Sequence, residues 1–94
     1  MEINSIEHGA FYGCTSLAQI TLPTELASIG ILAFYGCTNL TLVTCLTTVP
    51  PSLGISVFYN IHASLAIKVP AGSVEAYQAA EGWREYADKI SAID

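Results

Sequence analysis

Charge is what this sequence has least of. Its 94 residues include three basic side chains (Lys68, Arg84 and Lys89) against eight acidic ones. Nucleic-acid binding depends on Lys and Arg neutralising phosphates, so a net charge of −5 with no basic cluster argues against a nucleic-acid partner. The same deficit disfavours docking on an anionic membrane surface. Long hydrophobic runs are missing too. No stretch of about 18 apolar residues occurs, so membrane insertion is not expected. Met1-Glu2-Ile3-Asn4 lacks the basic segment and apolar stretch of a secretory leader. The expectation is a piece of a longer secreted or cell-surface precursor, opening inside a repeat. The alternative is a cytoplasmic protein whose native start is Met1.

Reactive constellations are equally scarce. The three cysteines form no C-x-x-C and no Cys/His ligand spacing, which excludes the usual zinc sites. Ser and Thr are plentiful, but no G-x-S-x-G elbow appears, and a hydroxyl without a positioned base is not a nucleophile. His8 and His62 have no carboxylate recurring beside them and read as surface or loop histidines. Glu81 and Glu85 read as a solvated face, not as the carboxylate pair of a glycosidase. These absences lead to a non-enzyme with no catalytic, cofactor-binding or metal site.

What the chain does contain is repetition. Ala10-Phe11-Tyr12-Gly13-Cys14 returns 23 residues later as Ala33-Phe34-Tyr35-Gly36-Cys37, and a worn copy, Val57-Phe58-Tyr59-Asn60-Ile61, follows after another 24. A period of this size signals stacked coils, each one repeat long. Three coils fall into register, 3–25, 26–48 and 49–72, with the extra residue of the last near Pro50-Pro51. The columns are apolar: Ile3, Leu26 and Val49; Ile6, Ile29 and Leu53; Ala10, Ala33 and Val57; Phe11, Phe34 and Phe58; Ile20, Val43 and Ile67; Leu22, Cys45 and Val69. Stacking turns each column into a ladder that buries what no single repeat buries alone. The column Gly13, Gly36, Asn60 holds the residues that enter left-handed φ most cheaply, so it predicts a turn with φ > 0.

Alternation at Ile20 and Leu22 predicts a short strand, repeated at 40–45 and 65–70 and paired in parallel between coils at roughly 4.8 Å. Thr21, Thr44 and Lys68 then share one outward row, and Gln19, Leu42 and Ala66 another. Pro23 and Pro70 end their strands. From residue 73 the pattern changes. Ser73 is placed to N-cap a helix through 74–80, and Trp83, Tyr86, Ala87 and Ile90 are spaced for a second short amphipathic helix. Together they form a C-terminal cap with its charges outside.

The frame Ile-x-x-x-Ala-Phe-x-x-Cys-x-x-Leu-x-x-Ile-x-Leu-Pro, carried by Ile6, Ala10, Phe11, Cys14, Leu17, Ile20, Leu22 and Pro23 and again from Ile29 to Val43, resembles the BspA-like leucine-rich-repeat family. The tail Val69-Pro70, Tyr77, Gly82-Trp83, Tyr86 and Ile90 resembles the C-terminal cap of these proteins in anaerobic gut and oral bacteria. The resemblance implies an α/β solenoid: a right-handed leucine-rich-repeat coil in one domain, 1–94, with short parallel strands, an irregular or 3-10 convex side and a helical cap over 73–94. It also implies a surface or secreted protein active in adhesion.

Two kinds of residue are the candidate partner contacts. One is the strand face, Gln19, Thr21, Leu42, Thr44 and Lys68, which would meet a protein or glycan on a host or neighbouring cell. The other is the column Tyr12, Tyr35 and Tyr59, whose rings either stack structurally beside the phenylalanines or contact sugars or protein. A purely structural spacer or terminal cap without a ligand is the alternative function. The first coil, with its ladder ends open, is a further candidate surface for self-association. Cys14 and Cys37 come within bridging distance in neighbouring coils. Since Ile61 and the mates of Cys45 are ordinary hydrophobes, all three cysteines are expected as buried free thiols.

Overall fold

The computed structural model describes residues 4–93. Each repeat contributes two strands to two parallel sheets. The short strands β1 (Ser5–Ile6), β3 (Ser28–Ile29) and β5 (Ser52–Leu53) pair in the order β1-β3-β5. The longer strands β2 (Gln19–Leu22), β4 (Leu42–Cys45) and β6 (Ala66–Val69) form the second sheet, which a fourth strand, β7 (Ile90–Ala92), completes in the order β2-β4-β6-β7. The register pairs Gln19 with Leu42 and Leu42 with Ala66, then Thr21 with Thr44 and Thr44 with Lys68, as the repeat columns require. Pro23 and Pro70 directly follow β2 and β6, where a residue without an N–H cannot extend the ladder.

The ladders form the core. Phe11, Phe34 and Phe58 stack with centroids 5.2 and 5.7 Å apart and planes within 6°. Ala33, Phe34, Cys37, Leu40 and Val43 of the middle coil are fully buried, while their first-coil equivalents Phe11, Cys14, Leu17 and Ile20 are half-buried and Ala10 is exposed. The turn column behaves as expected, with φ of 69° at Gly13, 75° at Gly36 and 58° at Asn60. A second left-handed column was not anticipated: Gly9, Leu32 and Ser56 have φ of 64°, 61° and 60°. Where an irregular or 3-10 side was expected, residues 8–13, 31–36 and 55–60 are hydrogen-bonded turns. Among the described residues 3-10 helix occurs only in the C-terminal segment.

These turns are joined coil to coil through alternate residues. The N–H groups of Gly9, Phe11 and Gly13 donate to the carbonyls of Ile31, Ala33 and Tyr35, and those of Leu32, Phe34 and Gly36 donate to Ile55, Val57 and Tyr59. Just before the turns, where the coils approach most closely, there is no room for a side chain. A Cβ on Gly54 would lie 2.7 Å from the Ile31 nitrogen and 2.9 Å from the Gly30 carbonyl carbon.

Three expectations need correction. The column Ile3, Leu26, Val49 does not hold: Leu26 is buried, Val49 is 70% exposed, and Ile3 lies outside the described residues. The extra residue falls between β4 and β5, where the Thr47 hydroxyl donates to the Val49 carbonyl (3.1 Å) and accepts from its N–H (3.3 Å). That local turn throws Val49 outward and leaves Thr47 and Pro51 as the buried residues.

Ser73 does not cap its helix. A 3-10 turn, Ala71–Ser73, leads into α1 (Val74–Ala79), and the Ser73 hydroxyl donates to the Thr48 carbonyl at 2.7 Å instead. Ser73 is buried, and its hydroxyl proton goes to a carbonyl of the last coil rather than the hydroxyl oxygen to its own helix.

The second helix is a 3-10 segment, Trp83–Lys89, broken at Tyr86 (φ −114°, ψ 21°), and Ile90 belongs to β7. A helix this short gains little from its own hydrogen bonds, whereas the free edge of β6 offers a ladder. Ile90, Ser91 and Ala92 pair with Ile67, Lys68 and Val69.

Candidate functional site

The outward face of the four-stranded sheet holds every strand residue singled out as a contact. Within each strand alternate residues turn inward (Ile20 and Leu22, Val43 and Cys45, Ile67 and Val69), so Gln19, Thr21, Leu42, Thr44, Ala66 and Lys68 point to the other side. Gln19 and Thr21 are exposed, and Leu42, Thr44 and Lys68 are partly covered by neighbouring strands. Strand β7 extends the threonine row by one member: Ser91 stands next to Lys68, and the Lys68 ammonium donates to its Oγ at 3.0 Å. Ser91 was missed because its strand was read as the end of a helix. The alternation of Ile90 and Ala92 around it was the available signal. The result is an array of hydroxyl and amide side chains interrupted by Leu42 and Ala66, with one cation, Lys68, held between Thr44 and Ser91.

The tyrosines form a second row in the turns, each nine residues before its strand-face counterpart: Tyr12 before Thr21, Tyr35 before Thr44, Tyr59 before Lys68. Their rings stack at 5.1 Å and 5.4 Å with planes 9° and 17° apart. Tyr12 is 57% exposed and Tyr59 60%, while Tyr35 between them is half-buried. Stacking and exposure therefore coexist. The rings support each other along one side and offer their other edges to solvent. Ile31 and Ile55, in the column of His8, are exposed as well.

The remaining reactive side chains are placed for structure. All three cysteines are free thiols; Cys37 and Cys45 are buried and Cys14, on the open first coil, is half-buried. Cys37 donates from Sγ to the Phe11 carbonyl at 3.1 Å, and burial raises its pKa. Burial pushes the Cys45 thiol up to about 12, with the Tyr77 hydroxyl partly opposing the shift. A thiol held protonated in the core is inert as a nucleophile. The Tyr77 hydroxyl is itself raised, first by burial and then by Cys45, and donates to the Thr47 carbonyl at 2.8 Å. His8 and His62 are exposed, and His62 Nδ1 accepts from the Ser64 N–H at 2.9 Å. Among the described residues no three His, Cys, Asp or Glu side chains are grouped as a metal site. No helix among them is long and apolar enough to cross a membrane.

The C-terminal segment acts on the last coil by side-chain donors. Ser73, Tyr77 and Trp83 donate to the carbonyls of Thr48, Thr47 and Pro51 at 2.7, 2.8 and 2.8 Å. The Trp83 and Tyr86 rings close over Phe58 at 6.0 and 5.5 Å. All three donors are thus aimed at the corner between β4 and β5, and the Trp83 indole takes the carbonyl whose equivalent in the coil before, Ala27, accepts the Ser52 N–H.

In-register parallel strands, the phenylalanine ladder and this closing segment are the marks of a repeat array. The family model described as BspA type leucine rich repeat region (6 copies) matches residues 1–80. The chain belongs to the BspA-type leucine-rich-repeat family. A comparison with the curated proteins finds no match. The BspA-type match covers all three coils and runs through α1, while Trp83 and the strand after it lie beyond its end.

Proposed function

We propose that this BspA-type chain is a non-enzymatic interaction module, a right-handed solenoid segment of a secreted or cell-surface bacterial protein. It would bind a protein or glycan through the outward face of β2, β4, β6 and β7. One observation carries this reading: two in-register rows, Gln19–Leu42–Ala66 and Thr21–Thr44–Lys68–Ser91, lie on one face of a four-stranded parallel sheet. Short hydroxyl side chains lose little rotamer freedom on binding, and together with the Gln19 amide they can donate and accept hydrogen bonds with sugars or peptide groups. The stacked tyrosines add a second apolar-and-polar edge of the kind enriched at binding hot spots. The test is a binding screen against extracellular proteins and glycans with the wild-type chain and a Thr44→Glu/Lys68→Glu double variant. Loss of a hit in the double variant, with an unchanged circular dichroism spectrum, supports the strand face. A hit that survives the change rejects it.

The second reading is a terminal cap of a longer array with no ligand of its own. The three side-chain donors onto Thr47, Thr48 and Pro51 favour it, since they serve closure alone. That reading expects no partner in any screen and a gain in solubility when further repeats precede residue 4.

A further inference from the structure

The two ends of the stack are finished differently. At the C-terminal end β7 pairs with β6, and the rings of Trp83 and Tyr86 lie on Phe58. At the other end, among the described residues, no strand lies beyond β1 or β2. The carbonyls of Ala18 and Leu22 accept from Thr41 and Leu46 of the next coil. Backbone groups alternate sides along a strand, so the N–H and C=O of Gln19 and of Thr21 point away from β4. The edge Gln19-Ile20-Thr21-Leu22 is continuous in register and holds none of the charges, prolines or bulges that keep edge strands apart. Behind it Ile6, Phe11, Cys14, Leu17 and Ile20 pack on the core yet are only half-buried. Residues 4–25 contain no basic group and two acidic ones, Glu7 and Glu25.

We infer that this edge binds a second copy of the chain, strand β2 against strand β2, antiparallel about a two-fold axis at Ile20. In that register Gln19 of each copy stands opposite Thr21 of the other. Both residues present outward N–H and C=O groups, so each pair exchanges two backbone hydrogen bonds across the contact. The side-chain period of two keeps Ile20 and Leu22 of both copies on the core side. An axis at Thr21 is poorer, because it sets Gln19 opposite Pro23, which has no N–H to give. The edge is thus complementary to itself in backbone donors and acceptors and in facing. Size agrees as well. The molecule measures 31 × 31 × 22 Å across its Cα atoms, so covering one end takes on the order of 700 Å² from each copy, close to what a stable dimer of standard size buries per partner. The contact continues the coil-to-coil stacking and joins the two four-stranded sheets into one. Because the C-terminal end is closed, the contact is isologous and stops at the dimer. It stands or falls independently of a ligand on the strand face.

Sedimentation equilibrium of the full chain, from about 1 μM to about 1 mM, should show the mass double from 10.0 kDa and rise no further. Amide exchange at Gln19 and Thr21 should slow by about tenfold or more between dilute and concentrated solution, a reading that needs no variant. Two double variants then test the register, since both side chains are exposed and face each other across the axis. Gln19→Lys/Thr21→Lys sets like charges opposite each other and should weaken the dimer by about tenfold or more. Gln19→Glu/Thr21→Lys sets opposite charges in the same places and should hold it at wild-type strength or tighter. A monomer at every concentration, which leaves the edge to a preceding coil of the same chain, overturns the proposal. So do masses beyond a dimer, equal behaviour of the two variants, or exchange that slows elsewhere and not at Gln19 and Thr21.

Discussion

Phe11 and Phe58 hold equivalent positions at the two ends of one aromatic ladder, and only Phe58 is closed over. Trp83 and Tyr86 pack on its outer side, whereas Phe11 has Phe34 on one side and stays half-buried. The same contrast runs through the other columns. Ala10 is exposed where Val57 is buried, and Ile20 is half-buried where Ile67 is sealed between β4 and β7. Chemically like residues are core in one coil and surface in another. Burial here belongs to the position in the stack and not to the residue, because each coil covers only its neighbour.

The contrast is sharpest in a pair of aromatic truncations. Trp83→Ala removes a fully buried ring and its bond to the Pro51 carbonyl, and should cost about 3–5 kcal/mol in urea denaturation. Phe11→Ala, at the open end, should cost only about 1–2 kcal/mol. Equal losses would mean that the first coil is as well closed as the last. Gly54→Ala comes next. Its Cβ would press on Ile31 backbone that cannot swing away, so a loss of about 1–3 kcal/mol is expected by thermal or urea melting.

The thiols allow the same comparison through pH. The folded Cys45 pKa lies near 12 against 9.0 for an unperturbed thiol, so the unfolded chain gives up its proton first as pH rises. Stability from this group is therefore complete below pH 9 and is lost progressively between pH 9 and about 12. The loss should reach about 1–2 kcal/mol at pH 10, read from urea midpoints at pH 7 and 10. Cys45→Val should remove that part of the slope, and Cys14→Val on the open coil should leave it in place. The smallest effect concerns the unexpected left-handed column, filled by glycine in the first coil and by serine in the last. Ser56→Gly should stabilise by about 1 kcal/mol, and Gly9→Ala, whose added Cβ meets nothing closer than 3.8 Å, should destabilise by about the same amount for backbone reasons alone.

Much of the stack was legible because repetition makes each column its own control. Replacement of Gly13 and Gly36 by Asn60 pointed to a φ requirement, and the observed angles share one sign. The rows of β2, β4 and β6 followed from alternation plus period. The strands of the β1-β3-β5 sheet left no such trace, since two residues are too few to show alternation. Val49 misled because the offset changes from 23 to 24 inside a loop, where the Thr47 hydroxyl decides which residue faces out. The place of Ser91 depends on which strand edge the C-terminal segment reaches.

The sequence by itself determined the period, the apolar columns, the left-handed turn at Gly13, Gly36 and Asn60, and the polar strand face, because each is a local preference repeated three times. Only the tertiary structure decided how the array ends. Whether residues 83–93 form a helix or a strand, and whether Ser73 caps its own helix or a carbonyl of the last coil, is set by competition for partners. Those partners, the β6 edge and the carbonyls of Thr47, Thr48 and Pro51, come into reach only once the coils have stacked.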